Sequence, residues 1–557
     1  MYGFNIIQSG KGLNGTSNVI KDEDIICESH MINKFNNDKV FFQNEAYIII
    51  LDGVVFNKNQ LIKEGENWIQ TLVSLYERNG ESFFKQLIGS FVGAVYDKRQ
   101  SKWIVFTDQL GTKFIYYALV DGVFICSQMM DSMYRLLRIN NIDYKLDETG
   151  AFMLLSYGFM LEDYTLCKEI KKIQPGQYIV LENNQITHHT YFKLENTEDN
   201  ELTEELIIET IEDLFTQAVK RQFEKDNEYG YHHIVALSGG LDCRMTSFVG
   251  HECGYTKQLN CCFSQTNYLD ETVSKAIAAF LKHEWIFKSL DNGLYLYDVD
   301  ETNKLTGGNV QYDSLAHGRS LIRYINFDRL GLAHTGQLGD VIVSTHCNKG
   351  DFYQFGDGAN SRNVCSCYNF STQQDNLDKE IGLFYYRYLN GTNNGIQYLY
   401  DLTESYSPFM DLDFIRFALT IPKKYRKNHY IYKRWIIKYH PNAARFIWES
   451  TGSKINSFHV KIKGTPYPVK KILRRGLQQL HILAPDGNST HSMNPVEYYL
   501  NSNSDLKNYL TSYYNYISYV SNKSIRDLIL NTKNRGTATE QLQAITLLSA
   551  IKLYFIN

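Results

Sequence analysis

The residues best suited to do chemistry lie in one short run, Ile234-Val235-Ala236-Leu237-Ser238-Gly239-Gly240-Leu241-Asp242. An apolar strand runs into a Ser-Gly-Gly turn, and a helix is expected to open just after it. Backbone N–H groups in such a turn can converge on an anion, and the helix N-terminus adds a favourable dipole. Gly239 and Gly240 let phosphate oxygens approach the main chain, and Ser238 adds a hydroxyl donor. Leu237, Leu241 and Cys243 flank this cradle. Asp242 would repel a bare phosphate, so its carboxylate implies a divalent cation, Mg2+, between the two. No Gly-Lys-Ser/Thr follows, so this is not the loop that serves γ-phosphate transfer. The alternative is an ordinary Gly-Gly turn beneath a sheet, but the strand–SGGLD–helix order favours the anion site.

Other candidate groups are weaker. Cys243 could be a nucleophile, but a small side chain facing the loop is the favoured reading. Gly307-Gly308-Asn309-Val310-Gln311-Tyr312-Asp313 could line a substrate pocket or form a structural turn. His251 and His283 have no partner pattern. His346-Cys347 with Cys365 and Cys367 could supply metal ligands but lacks a paired Cys-x-x-Cys, so buried or incidental thiols are expected. Lys461, Lys463, Lys470, Lys471, Arg474 and Arg475 surround a stretch, 468–483, that could form a basic amphipathic helix. Such a face could meet an acidic peptide, an anionic lipid surface or a sugar-phosphate carrier, although a solvated face is the favoured reading.

The elements that must position these groups fall into two regions. The runs 47–56, 91–97, 102–108 and 122–127 are β-rich and bounded by Gly, Asp or Asn. Residues 174–192 read as a hairpin with Asn183-Asn184 at its turn. A helix is expected over 67–80. This first region, 1–195, is a mixed α/β domain built largely on antiparallel strands. A polar, acidic linker follows at 193–202. Beyond it, Leu206, Ile207, Ile211, Leu214, Phe215, Ala218 and Val219 recur at helical spacing, with Thr203 as N-cap. Helices then alternate with short strands at 233–237, 258–264 and 330–336, which predicts a parallel sheet covered by helices over 203–557. A closing helix is expected over 539–555.

Composition narrows the class. The 557 residues are 43% hydrophobic and 21% charged, as in a folded protein. With 41 Tyr and 31 Phe the chain can bury a large core in each domain. A net charge of −4 argues against a dedicated nucleic-acid binder. No apolar run is long enough for a transmembrane helix, and the first residues lack the pattern of a signal peptide. The ten cysteines are therefore expected to be reduced thiols in the cytoplasm.

These motifs together resemble the asparagine synthetase family. VALSGGLDCR resembles its pyrophosphate-binding SGGxDS loop. QLNCCFS, which holds Phe263 and Ser264, resembles the adenine-side strand, and Leu269-Asp270-Glu271 the acidic segment after it. Thr335-Gly336-Gln337-Leu338-Gly339-Asp340 resembles the second signature, SGxGSDE, whose Asp helps hold Mg2+. Ser407–Asp411 resembles the PFLD segment, and Tyr432-Lys433 the basic stretch beyond it. In the first region, 51–61 and 89–118 resemble the family's NGEIYN and GxFAxxxYD…RDxxGxxPLYY patterns. The resemblance implies an Ntn-type αββα sandwich followed by a PP-loop synthetase domain. It also implies ATP and Mg2+ as cofactors, activation of a carboxylate as acyl-AMP, and attack by an amine. It puts Asp242 and Asp340 on the metal, and residues 237–243, Phe263, Ser264, Gly336 and Gln337 on ATP. Lys433 and Lys454 are its candidates for charge stabilisation, and Arg244 is expected to brace the loop.

Three departures qualify what the resemblance implies. Tyr2 stands where glutamine-hydrolysing members carry a cysteine nucleophile, and a phenol is a much poorer nucleophile at neutral pH. Asp52-Gly53-Val54 replaces Asn-Gly-Glu at the oxyanion and substrate turn. Gln337 stands where asparagine synthetases carry a Glu, and an amide is not a base. The expectation is an AMP-forming carbon–nitrogen ligase, with a small-molecule or peptide carboxylate and an amine as substrates and a dead glutaminase domain. The related β-lactam synthetases and lasso peptide cyclases offer a second reading, internal amide formation. A non-catalytic nucleotide-binding scaffold is a third.

Overall fold

The computed structural model describes residues 1–557 apart from 14, 16–17, 368–376, 458, 463–464, 469–472, 474–475, 481, 483–491 and 557. Two six-stranded antiparallel sheets come first. One runs β10 (Lys171–Lys172), β8 (Tyr116–Val120), β9 (Val123–Ser127), β1 (Phe4–Gln8), β3 (Ile25–Ser29), β2 (Val19–Asp22). The other runs β12 (Gln185–Thr190), β11 (Gln177–Glu182), β7 (Lys102–Thr107), β6 (Gly89–Asp97), β5 (Tyr47–Val55), β4 (Val40–Gln43). Their inner faces meet through Phe4, Ile6, Ile48, Ile50, Val92 and Val105. The central strands β5 and β6 are buried on both faces because helices cover the outside, which is why they read as nearly continuous apolar runs. The helix Trp68–Asn79 closes one outer face, capped by a reciprocal Asn67–Gln70 box. Met130–Ile139 and Glu148–Tyr157 close the other. The result is an αββα sandwich. The hairpin turns at Asn183-Asn184, both left-handed as a tight two-residue loop requires.

The second sheet system is parallel and five-stranded, in the order β15 (Glu284–Ser289), β14 (Gln258–Ser264), β13 (His232–Ala236), β16 (Leu330–His334), β17 (Ser405–Tyr406). The chain enters it through the helix Glu204–Glu228, whose N-cap Thr203 accepts from the Leu206 amide. Ile207, Ile211, Phe215, Ala218 and Val219 are buried as the spacing predicts. Leu206 is not: it is 49% exposed, because it lies to the side of the buried stripe that Ile207, Ile211 and Phe215 form. Strand order reverses between β13 and β16, and such a reversal opens a crevice at the strands' carboxyl ends.

The two sheet systems share packing. One apolar cluster joins Tyr2, Ile7 and Met130 to Tyr312, Leu548 and Tyr554. The closing helix Ala538–Ala550 continues as a π-helical turn, Ile551–Phe555, that stacks Tyr554 on Tyr134 at 4.0 Å. No helix among the described residues is long and apolar enough to cross a membrane. Of the basic cluster, Lys463, Lys470, Lys471, Arg474 and Arg475 lie outside the described residues. Within 468–483 the described residues 473 and 476–479 are helical, and the strand Thr465–Pro468, paired with His459–Ile462, ends where that stretch begins.

Candidate active site

A cleft of about 860 Å3 opens over the carboxyl ends of β13, β14 and β16. The loop after β13 supplies Ser238, Gly240, Leu241, Asp242 and Cys243, β14 supplies Phe263, and the segment after β16 supplies Thr335–Leu338 and Asp340. Two loops far apart in sequence therefore meet at the point where strand order reverses.

Their junction is tight. A Cβ on Gly336 would stand 2.2 Å from the Cys243 amide nitrogen, and one on Gly339 would stand 2.6 Å from Asp242 Cγ. Only glycine fits either position. Leu338, between them, adopts a left-handed conformation with φ of 65°, which is costly for a branched residue. That strain turns the chain so that the Asp340 amide donates to Asp242 Oδ2 at 2.9 Å.

Asp242 sits at the first turn of the helix Asp242–Glu252 and accepts from the Tyr432 hydroxyl at 2.8 Å through Oδ1. Burial, and then the neighbouring Asp340 charge, push its carboxyl up to about 8. The Asp340 carboxyl also shifts upward, because its enclosure outweighs the Val341 amide and His346. Two carboxylates that resist ionising together are a site that gains by receiving a cation. The pair fits Mg2+ by this observation and by its hard oxygen donors.

The loop's own amides are only partly open to a ligand. Gly239 N–H donates to Asp270 Oδ1 at 2.7 Å, and Gly240 N–H to Ser238 Oγ at 3.2 Å. This departs from the expectation that these amides converge on an anion. Burial, opposed by that Gly239 bond, pushes Asp270 up to about 6. Gly239 and Leu237 lie behind the cleft wall, as does Ser264, whose hydroxyl donates to Gln265 O. Cys243 faces the cleft, but burial and Asp242 push its thiol up to about 12, so it is a thiol at neutral pH and no nucleophile. Gln337 also lines the cleft.

Arg244 braces the loop. It is fully buried and donates to the carbonyls of Gly239, Ala443, Phe446 and Ile447 at 2.6–3.2 Å. Arg244→Met leaves those acceptors unpaired, each costing about 1–3 kcal/mol if it stays dry. The expected result is a clearly lower urea midpoint together with weakened nucleotide binding. A wild-type midpoint would show that the brace is dispensable.

The lysine candidates stand apart from the cleft. Lys454 is exposed on the short strand Ser453–Lys454, paired with Ile447. Lys433 is half-buried, its ammonium pulled down by burial, and neither lysine lines the cleft. Of the Tyr432-Lys433 pair, it is Tyr432 that reaches Asp242. Sequence reading missed Tyr432, Glu449 and Arg387 as cleft residues. Tyr432 is signalled only by its place on the buried face of the helix Tyr430–Tyr439. Gln311, singled out in the 307–313 turn, does line the cleft.

Among the described residues, His346, Cys347, Cys365 and Cys367 do not gather as metal ligands. The one such group is Asp226, His233 and His334, where both imidazoles meet a single Asp226 oxygen at 2.8 Å. His251 and His283 bond each other at 2.8 Å.

In the first sheet system, Asp52 lies in a buried ring of charge. Lys113 bridges Asp52 and Glu404 at 2.8 and 2.9 Å, and Lys39 bridges the same two carboxylates at 3.3 and 3.0 Å. Burial alone would raise the Asp52 carboxyl, but Lys113 and Lys39 together hold it well below the usual range. Tyr2 is buried beside this ring, edge-on to Tyr400 at 5.7 Å. Burial raises its phenol far above the ordinary value. Cys27, the first cysteine, is buried in β3 with its thiol likewise pushed up.

Residues 35–192 match the family model of a glutamine amidotransferase domain. Over 270 residues the chain is 25% identical to glutamine-hydrolyzing asparagine synthetase 1 of Bacillus subtilis strain 168, covering 46% of this chain and 41% of that protein. It is 23% identical over 221 residues to glutamine-hydrolyzing asparagine synthetase B of Escherichia coli K12, covering 38% and 33%. The matches thus span less than half the length of either relative. Among solved structures, the allosteric regulatory enzyme of purine biosynthesis is similar at 9% identity and a TM-score of 0.24, over 51% of this chain and 74% of that one.

Proposed function

We propose that the chain, which carries a match to a glutamine amidotransferase domain and is similar to asparagine synthetases over part of its length, is an ATP-dependent, AMP-forming amide ligase of that family that does not hydrolyse glutamine. The observation that carries the ligase reading is the Asp242–Asp340 pair at the sheet's reversal point. Mg2+ held by these two carboxylates would offset charge between them and the phosphates of ATP. Asp242 and Asp340 would fix the α- and β-phosphates near the SGGLD loop. The substrate carboxylate then attacks the α-phosphorus, pyrophosphate leaves, and an amine displaces AMP from the acyl-adenylate.

The amine must lose a proton, and Gln337 cannot take it. His317 and His429 line the same cleft. Burial lowers both, His429 to about 4, which keeps both imidazoles neutral at physiological pH and makes them weak bases.

The reading of an inactive glutaminase rests on chemistry in the first sheet system. Asp52, at the position of the resemblance's oxyanion turn, is consumed by Lys39 and Lys113. Tyr2 offers a phenol with a raised pKa in place of a thiol. The purified protein is expected to form no glutamate from glutamine above the rate of buffer, whether or not Mg·ATP is present. With Mg·ATP, a carboxylate substrate and ammonium, the nucleotide product is expected to be AMP. Glutamate formation would overturn the inactive-glutaminase reading, and ADP with orthophosphate would overturn the ligase mechanism.

A further inference from the structure

His440 lies outside the cleft, held between two carboxylates. Its Nε2 meets Glu212 Oε2 at 2.8 Å and its Nδ1 meets Glu252 Oε2 at 2.6 Å. A neutral imidazole has one N–H and could donate to only one of them. Both contacts are hydrogen bonds only when the ring is an imidazolium, and the ring is buried. Burial opposes that charge, but the bonds to Glu212 and Glu252 outweigh it and push the ring up to about 9. Glu212 is itself fixed, because it also accepts from Trp435 Nε1 at 2.7 Å and from the Thr216 hydroxyl at 3.2 Å. Trp435 stands edge-on to the imidazole at 5.5 Å. Lys220 and Cys253 also stand close to these carboxylates, and burial raises the Cys253 thiol.

Three helices meet at this ring. Glu212 lies within Glu204–Glu228, Glu252 ends Asp242–Glu252, and His440 directly follows Tyr430–Tyr439. The last two helices are joined a second time at their other ends, where the Tyr432 hydroxyl donates to Asp242 Oδ1. Asp242 and Glu252 are the first and last residues of one helix, about 15 Å apart along its axis. A charged clamp at the far end and one hydroxyl bond at the cleft end therefore fix one helix against the other. Arg244 holds the chain just beyond, at Ala443, Phe446 and Ile447, so loss of the clamp frees the helix without detaching the segment. The Tyr432 bond favours the ionised form of Asp242. Without it the carboxyl holds its proton more tightly, and Mg2+ must compete with that proton.

We propose that His440 is a positioning residue: its imidazolium, gripped by Glu212 and Glu252, holds the helix Tyr430–Tyr439 in the register that brings the Tyr432 hydroxyl to Asp242, and so sets how readily Asp242 takes up Mg2+. The clamp needs a second proton on the ring, which gives the metal site an alkaline limit. This rests on the Mg2+ role proposed for Asp242 and adds to it the device that regulates it.

The test is calorimetric titration of the whole protein with Mg2+ alone, at pH values from about 7 to 10. His440→Gln can donate to one carboxylate but cannot bridge two. Near pH 7, His440→Gln and Tyr432→Phe are each expected to weaken Mg2+ binding about 3–10-fold, and the double variant no more than Tyr432→Phe alone. Wild type should lose affinity as pH rises through about 9, and His440→Gln should show no such loss. Glu252→Gln, at a partly exposed acceptor, should move that loss to lower pH, because one of the two stabilising carboxylates is gone. Where His440→Gln fails to fold, the shift in Glu252→Gln alone decides the question. A lower urea midpoint in His440→Gln with unchanged Mg2+ affinity would make His440 structural only and overturn the proposal. So would losses that add in the double variant, an alkaline loss that persists in His440→Gln, or one that Glu252→Gln leaves in place. The ligase reading fails separately: Mg2+ affinity would follow His440 as described while Mg·ATP, a carboxylate and ammonium yield no AMP.

Discussion

Asp340→Asn is expected to cut Mg2+-dependent pyrophosphate release by about 10²-fold or more, the scale of removing one charge that stabilises a transition state. The fold should survive, because the Asp340 main-chain bond to Asp242 does not need the side chain. The same change should alter how stability depends on pH. Asp242 has a raised carboxyl in the folded state, at about 8, so between roughly pH 4 and pH 8 the folded protein holds a proton that the unfolded chain has released. Stability of the metal-free protein therefore falls as pH rises through that window. Removing the Asp340 charge relieves part of the cause, so Asp340→Asn should be more stable than wild type at pH 8 and gain less at pH 5. Added Mg2+ should stabilise wild type at pH 8 and do so far less for the variant. Thermal melts at the two pH values, with and without Mg2+, measure all of this. A variant that keeps wild-type turnover would remove Asp340 from the metal site.

Lys113→Met is expected to be the most destabilising single change in the first sheet system. It leaves Asp52 and Glu404, both almost fully buried, sharing Lys39 alone. Breaking a buried ion pair by removing one partner costs about 3–5 kcal/mol. Glu404 lies immediately before β17 of the parallel sheet, whereas Asp52 lies on β5 of the sandwich. The loss should therefore loosen the contact between the two sheet systems, seen as faster amide exchange on both β5 and β17. Adding Glu404→Gln in the same background should recover part of the loss, because one uncompensated charge goes with it. Equal stability of Lys113→Met and wild type in urea would show that the ring contributes little. The ring should also persist into acid, because Asp52 is held low and its contribution is lost only as pH falls through its folded value.

The strands and the main helices were legible because their local signals agree with their tertiary setting. Thr203 and Asn67 cap helices where the sequence places them, and Asn183-Asn184 turns the hairpin. The SGGLD loop was legible for the same reason, as a strand, turn and helix contiguous in sequence. Contacts between distant segments were less so. Nothing local to Arg387 says that Phe159 passes beneath it, and nothing local to Asp52 says that Glu404 arrives from the other sheet. Leu206 adds to the apolar pattern of the sequence but lies to the side of the stripe that is buried. Nothing local to Gly239 and Gly240 shows that their amides are taken, because their partners, Asp270 and Ser238 Oγ, depend on the folded loop. Lys433 drew attention by its charge, whereas its neighbour Tyr432, buried and neutral, makes the contact with Asp242.

Isotope exchange between pyrophosphate and ATP tests the central claim most directly, because it needs only the first half-reaction and no amine. Wild type with Mg·ATP and a carboxylate substrate such as L-aspartate is expected to move labelled pyrophosphate into ATP. That exchange should depend on both the acid and Mg2+, and Asp340→Asn should abolish it. A protein that binds Mg·ATP yet shows no acid-dependent exchange would contradict the reversible formation of an acyl-adenylate in this cleft.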